Sequence, residues 1–155
     1  MLNIVLYQPD IPQNTGNIAR TCALTETKLH LIKPLGFSLS EKAVKRAGLD
    51  YWHLLDLTVY DDFDDFLSQN ENAKVFLLST HAKTFYDQTR FPDGSFLLFG
   101  KETAGVPEDI HERYRDSRFR IPMKTHPDAR SLNLSNAVSI VLYEALRQNS
   151  FFDLK

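Results

Sequence analysis

Ser95-Phe96-Leu97-Leu98-Phe99-Gly100-Lys101-Glu102-Thr103-Ala104-Gly105-Val106-Pro107 is a short apolar run that ends in a polar turn bracketed by two glycines and hands over at a proline. A short, uninterrupted apolar run is the pattern of a strand buried on both faces. Proline suits the first turn of a helix, where its missing N–H costs nothing. The stretch is therefore strand, tight turn, helix. The same reading extends outward: strands are predicted over 3–8, 29–33, 57–60, 74–80, 95–100 and 119–123, and helices over 15–24, 41–47, 62–69, 107–114 and 134–148. Strands that alternate with helices and lack a polar face imply an α/β fold, a mostly parallel sheet with helices on both faces. In such sheets ligands sit beyond the carboxyl ends of the strands, so the chemistry is sought there.

Two further strand ends are unusual. After the first strand, Gln8 to Arg20 reads QPDIPQNTGNIAR, a loop stiffened by two prolines that feeds a helix. Asn14 or Thr15 is the expected cap, and Arg20, about one turn in, shares the face of any anion held at the helix start. An ordinary capped helix with a surface arginine fits the same residues. After the sixth strand, Arg120-Ile121-Pro122-Met123 leads through a loop to Arg130-Ser131-Leu132-Asn133-Leu134-Ser135-Asn136. The helix that follows carries Ala137, Val138, Ile140, Val141, Leu142, Ala145 and Leu146 around most of its circumference, so it is expected to be buried, within the fold or against another subunit. Its polar entrance would then lie deep and need partners. The turn around Gly100-Lys101 is not a phosphate-binding P-loop: Gly94 is one residue too distant, and Glu102 stands where a magnesium-binding hydroxyl is required. A Rossmann glycine fingerprint is also lacking.

Composition sets the outer bounds. The 155 residues fit one domain spanning 1–155, with 43% hydrophobic and 12% aromatic residues to fill a core. No basic leader or span of roughly 20 apolar residues is seen, so the expected location is cytoplasmic, with no membrane partner. The single cysteine, Cys22, has no internal disulfide partner, and no histidine stands with it at metal-ligand spacing, so no metal is expected. A net charge of −2 confines any nucleic-acid contact to local patches. Lys42, Lys45 and Arg46 form one, and Arg113, Arg115, Arg118, Arg120, Lys124 and Arg130 another, opposed by Asp61, Asp62, Asp64 and Asp65. Solvated charged faces explain such clusters equally well.

Taken together in order, NTGNIAR (14–20), LLFGKETAGVP (97–107) and RIPM with RSLNLSNAVSIVLYEALRQ (120–123 and 130–148) resemble the three motifs of the SPOUT, or α/β-knot, RNA methyltransferases, in their TrmH-like 2′-O branch. The match covers nearly the whole chain. The lack of an appended RNA-binding domain, with KRAGLDYW at 45–52, is similar to the minimal members that methylate the wobble nucleotide (position 34, cytidine or modified uridine) of leucine tRNAs. The resemblance implies a deep C-terminal trefoil knot, a homodimer, and S-adenosyl-L-methionine as methyl donor. It implies a cofactor site at Leu78, Ser79, Gly100, Glu102, Ile121, Met123, Ser131 and Leu132. It implies Arg20, Asn17, Asn133 and Ser135 as catalytic residues. For the anticodon loop the expected contacts are Lys45, Arg46, Tyr51 and Tyr143, since unstacked bases offer faces to aromatic rings and phosphates to cations; Tyr51 and Trp52 fit a core role equally. The chain departs from many relatives at Ala104, where they carry arginine, and in a slightly longer loop over 124–129. Two other readings stay open: a catalytically silent RNA-binding dimer, and a methyltransferase of the same class with another RNA target. A dehydrogenase or kinase is weakest, for want of either glycine fingerprint.

Overall fold

The computed structural model describes residues 1–40, 42, 51–128 and 130–155. In chain order these form β1 (Asn3–Tyr7), α1 (Pro12–Leu24), β2 (Lys28–Ile32), β3 (Leu57–Tyr60), α2 (Phe63–Gln69), β4 (Val75–Leu78), β5 (Phe96–Phe99), α3 (Glu108–Arg113), β6 (Arg118–Phe119) and α4 (Leu134–Gln148). Single 3-10 turns lie at Trp52–Leu54, Tyr86–Gln88 and Arg115–Ser117. The six strands make one parallel sheet in the order β3-β2-β1-β5-β4-β6. The expected α/β class holds. The chain works outward from β1 to β3 and then fills the other half. The connections leaving the paired ends of β1 and β5, where Leu6 lies opposite Phe99, therefore diverge. Their first residues still lie side by side at the carboxyl edge of the sheet, the edge at which ligands of parallel sheets bind.

Alternation along the central strands sorts two cores. Ile4 and Leu6 of β1 and Leu97 and Phe99 of β5 pack with Ile18 and Cys22 of α1 and Val138, Val141 and Leu142 of α4. Val5, Tyr7 and Leu98 point the other way, onto Phe66 of α2 and Ile110 of α3. Successive side chains of a strand face opposite sides, so a sheet apolar on both faces is covered on both. The acidic run of 61–65 is local structure: Asp62 caps α2 by accepting from Asp65 N at 2.8 Å, and acidic residues in a first turn favour the helix dipole. Asp61 also pairs with Lys33 at 2.7 Å. Among the described residues no helix is long and apolar enough to cross a membrane, and no cluster of three or more His, Cys, Asp and Glu forms a metal site.

Four expectations need correction. The first helix starts at Pro12, three residues before the expected position, so Asn14 and Thr15 lie inside its first turn and cap nothing; Ile11 is the N-cap residue and offers no side-chain bond. Arg20 is accordingly about two turns into α1. The sixth strand shrinks to Arg118–Phe119, followed by an isolated parallel bridge of Arg120 to Phe85; Pro122 has no N–H to carry the ladder further, and Arg120, Ile121 and Met123 line a cavity. Between β4 and β5 only a 3-10 turn stands where strict alternation would put a helix. Finally, of the two alternatives for α4, enclosure within the fold fails: in the single chain it buries one face, Ile140 and Tyr143 are 37% and 52% exposed, and Ser131, Leu132 and Asn133 at its entrance are exposed. The helix expected over 41–47 falls, save Lys42, outside the described residues.

Candidate active site

One hydrogen-bonded chain joins the three stretches, and it starts at a carboxylate. Gly100 and Gly105 close the turn after β5: Lys101 N donates to Gly105 O at 3.1 Å and Gly105 N to Lys101 O at 2.9 Å. A Cβ on Gly100 would stand 2.4 Å from the Gly105 carbonyl carbon, and Gly105 has φ +67°, so both positions need glycine. The turn aims Glu102 at the start of α1. Its carboxylate accepts from Asp10 N at 2.8 Å, Ile11 N at 3.1 Å and the Asn14 side-chain amide at 3.1 Å. Glu102 thus supplies from another loop the negative group that the sequence places at no cap position, where free amides and the helix dipole favour it. Thr103 Oγ1 adds a bond to Asp10 Oδ2 at 2.8 Å. From behind, Gly36 N donates to Pro9 O at 2.9 Å, with Gly36 too close to Asp10 to tolerate a Cβ.

The network then reaches the third strand end. Asn14 Oδ1 accepts from Asn133 Nδ2 at 2.9 Å. Asn133 Oδ1 caps α4, accepting from Ser135 N at 2.9 Å and Ser135 Oγ at 2.6 Å. Glu102, Asn14, Asn133 and Ser135 are one hydrogen-bonded chain joining three stretches far apart in sequence.

Beside it opens a cleft lined by Leu78, Ser79 and Thr80 after β4, Arg120, Ile121 and Met123 after β6, and Ser131, Leu132 and Ala137 at the start of α4. Its wall is mostly apolar, with a few converging polar groups, the usual make-up of a site for a small organic ligand. Arg20 and Asn17 project from the exposed face of α1. The Arg20 guanidinium lies 4.9 Å from the centre of the Tyr51 ring, within cation–π range.

The model of the SpoU rRNA methylase family matches residues 1–143. The chain belongs to that family. This SpoU methylase is 47% identical over 149 residues to the tRNA (cytidine(34)-2'-O)-methyltransferase of Escherichia coli (strain K12), covering 96% of this chain and 94% of the relative. It superposes with a TM-score of 0.89 and 48% identity, over 97% of both chains, on a structure described as giving insights into the 2-OH methylation of C/U34 on tRNA. The SpoU methyltransferase AviRb from Streptomyces viridochromogenes, solved in complex with the cofactor AdoMet, matches with a TM-score of 0.81 and 25% identity over 97% of this chain and 58% of its own. The family read from the three motifs holds.

Of the residues singled out in the sequence of this SpoU methylase, Leu78, Ser79, Ile121, Met123, Ser131 and Leu132 meet around the cavity. Gly100 and Glu102 do not line it: they build the turn and hold α1. Asn133 and Ser135 stand together at the α4 entrance, their mutual bonds and Asn14 taking up the Asn133 amide. Tyr143 is exposed on α4, about two and a half turns past its start, and lines no part of the cavity. Lys45 and Arg46 lie outside the described residues. Sequence reasoning missed Asn14 as the joint between motifs, and Thr80, Arg120 and Ala137 as lining residues. Each directly adjoins a singled-out position or sits one turn from one, which is the signal available. Cys22 is buried, its thiol pushed up to about 12 by desolvation, and is an inert core residue.

Proposed function

We propose that this SpoU methylase transfers a methyl group from S-adenosyl-L-methionine to the ribose 2′-oxygen of the wobble nucleotide, cytidine or modified uridine 34, in the anticodon loop of leucine tRNAs. The observation that carries the reading is the hydrogen-bonded chain from Glu102 through Asn14 to Asn133 and Ser135, which binds all three motifs into one unit at the cavity mouth. The names of near relatives supply the substrate class, and the AdoMet held by AviRb supplies the cofactor.

The cavity fits such a donor: Leu78, Ile121, Met123, Leu132 and Ala137 offer an apolar slot for a base, and Ser79, Thr80, Arg120 and Ser131 offer polar groups for hydroxyls and charge. Among the described residues no carboxylate pairs with Arg120, so its charge is available to an anionic group of the ligand. When bound, the cofactor supplies an electrophilic sulfonium methyl. The chain's own part is placement and charge. In-line geometry between reacting atoms accounts for most of the acceleration open to such a site, and the ties at both ends of the network keep α1 and α4 in fixed relation. Gly100 and Glu102 serve from outside the cavity wall by holding that geometry. Arg20, a poor base because a guanidinium stays protonated, binds the neighbouring phosphate and stabilises negative charge growing on the 2′-oxygen. Asn17, on the same face of α1, orients the ribose or Arg20, and Lys45, Arg46, Tyr51 and Tyr143 take the loop. A trefoil-knotted C-terminal segment, one domain over 1–155 and a cytoplasmic homodimer belong to the same reading. The exposed Ile140 on α4, beside α1, belongs to the surface a second copy covers.

The test is incubation with leucine tRNA and methyl-labelled cofactor, nuclease digestion and nucleoside mass spectrometry. Labelled 2′-O-methylcytidine or a 2′-O-methyluridine derivative is expected. Arg20→Ala should lower the rate by about a hundredfold or more while leaving the circular dichroism spectrum unchanged. Label on a base, or full activity in Arg20→Ala, sinks the reading.

A further inference from the structure

Arg120 is the cationic side chain in the cavity wall, and it carries an unmet demand. Its backbone is pinned on both sides, Arg120 N donating to Thr84 O and Arg120 O accepting from Tyr86 N, each at 2.9 Å. The side chain has no such tie. Among the described residues no carboxylate pairs with its guanidinium, and its Nε is buried without a hydrogen-bond partner. A guanidinium in a cavity wall with no carboxylate beside it keeps its charge available for an anionic ligand. The rest of the wall is Leu78, Ile121, Met123, Leu132 and Ala137 with three hydroxyls, so nothing else in it neutralises an anion. Arg118 provides the contrast: its Nε is also unpartnered, but it lies beside His111 and lines no part of the cavity.

We propose that Arg120 is the carboxylate anchor of the cavity, a fork that grips the α-carboxylate of the amino-acid tail of the methyl donor and so sets which adenosyl compounds the site accepts. The inference rests on the reading of the cavity as the cofactor site. A planar guanidinium presents paired N–H donors that match a carboxylate in bidentate fashion, which a lysine ammonium does not. The tail would be held at its far end while the apolar slot holds the base, aligning the sulfonium between them. An adenosyl ligand with no carboxylate leaves the fork unmatched and binds weakly.

Isothermal titration of the wild type, Arg120→Met, Arg120→Lys and Arg118→Lys with S-adenosylmethionine and with decarboxylated S-adenosylmethionine separates the outcomes without any turnover. The wild type and Arg118→Lys are expected to prefer the carboxylate-bearing ligand by about ten- to a hundredfold, the range of a charge-assisted pair. Arg120→Met should bind both ligands alike, at the wild-type level for the decarboxylated one. Arg120→Lys, which keeps the charge and the aliphatic stem and stands in should Arg120→Met fail to fold, should show a reduced preference. A full preference in both Arg120 variants, or an equal fall in affinity for both ligands, overturns the anchor while leaving the cofactor site standing. A wild type that binds neither ligand overturns the cofactor reading itself.

Discussion

Two polar networks tie this molecule together, and they differ in how completely they are closed. On the α2 side of the sheet, His30 of β2 is fully buried, its Nδ1 2.8 Å from the Tyr60 hydroxyl and its Nε2 3.1 Å from Asn3 Oδ1. Asn70 Nδ2 donates to the same hydroxyl at 3.1 Å, and Asn3 Nδ2 donates to Ser95 O at 3.3 Å. Bond counting then sets the tautomer: Nε2–H donates to Asn3, and Nδ1 accepts from Tyr60. The rings of Tyr60, Phe66 and Phe96 enclose the imidazole. Each of these polar groups has its partner inside the protein. The network of Glu102, Asn14 and Asn133 lies instead beyond the strand ends, partly exposed, with Thr15 Oγ1, next to Asn14 in the chain, unpartnered among the described residues. A closed network in an aromatic cage has nothing left to offer a ligand and serves stability; an open one keeps polar groups that a ligand can meet.

The sharpest way to break that distinction is Glu102→Ala. Three donors lose a charged acceptor at once, so stability should fall by about 3 to 4 kcal/mol in urea unfolding, and methyl transfer per folded molecule by about tenfold or more as α1 loosens. Activity that survives intact would make the site network merely structural. Acid is the next probe. Burial, with a smaller contribution from Lys28, lowers His30 to about 4 from an ordinary value of 6.5. The folded protein therefore binds fewer protons than the unfolded chain between these values. The stability is fully present above about pH 6.5 and is lost as the pH falls toward 4, by about 3 kcal/mol. Thermal melts across this window should drop steeply in the wild type and much less in His30→Phe. Smallest is Tyr60→Phe, which opens the closed network at one hydroxyl: a loss of about 1 to 2 kcal/mol, with cofactor titration and turnover unchanged. A fall in either would mean that the two networks communicate through the sheet.

Much of the fold was legible because its strands are short apolar runs between strong punctuators. β3 matches its expected range of 57–60, α4 its range of 134–148, and α2 its range to within one residue. The beginning of α1 was misread, since Asn14 and Thr15 have the chemistry of caps and the true cap, Glu102, stands 91 positions away from Ile11. Local propensity cannot register a carboxylate that arrives from another loop. The end of β6 was overextended for the converse reason: an apolar run looks like a strand whether or not a neighbour is there to pair with it.

By itself the sequence determined the parallel α/β architecture, the family, and six of the nine residues around the cavity. The architecture follows from periodicity and turn chemistry, and the family and the six residues from the resemblance of the three motifs, all of it legible in local stretches. Only the tertiary structure decided what each polar residue does there. It made Glu102 the anchor of α1, Asn14 the joint between motifs, and Arg120 the unmatched charge in the wall, because β1 and β5 pair and bring loops some ninety residues apart within hydrogen-bonding distance. A hydrogen bond depends on where two groups finally lie, and that is a property of the folded sheet.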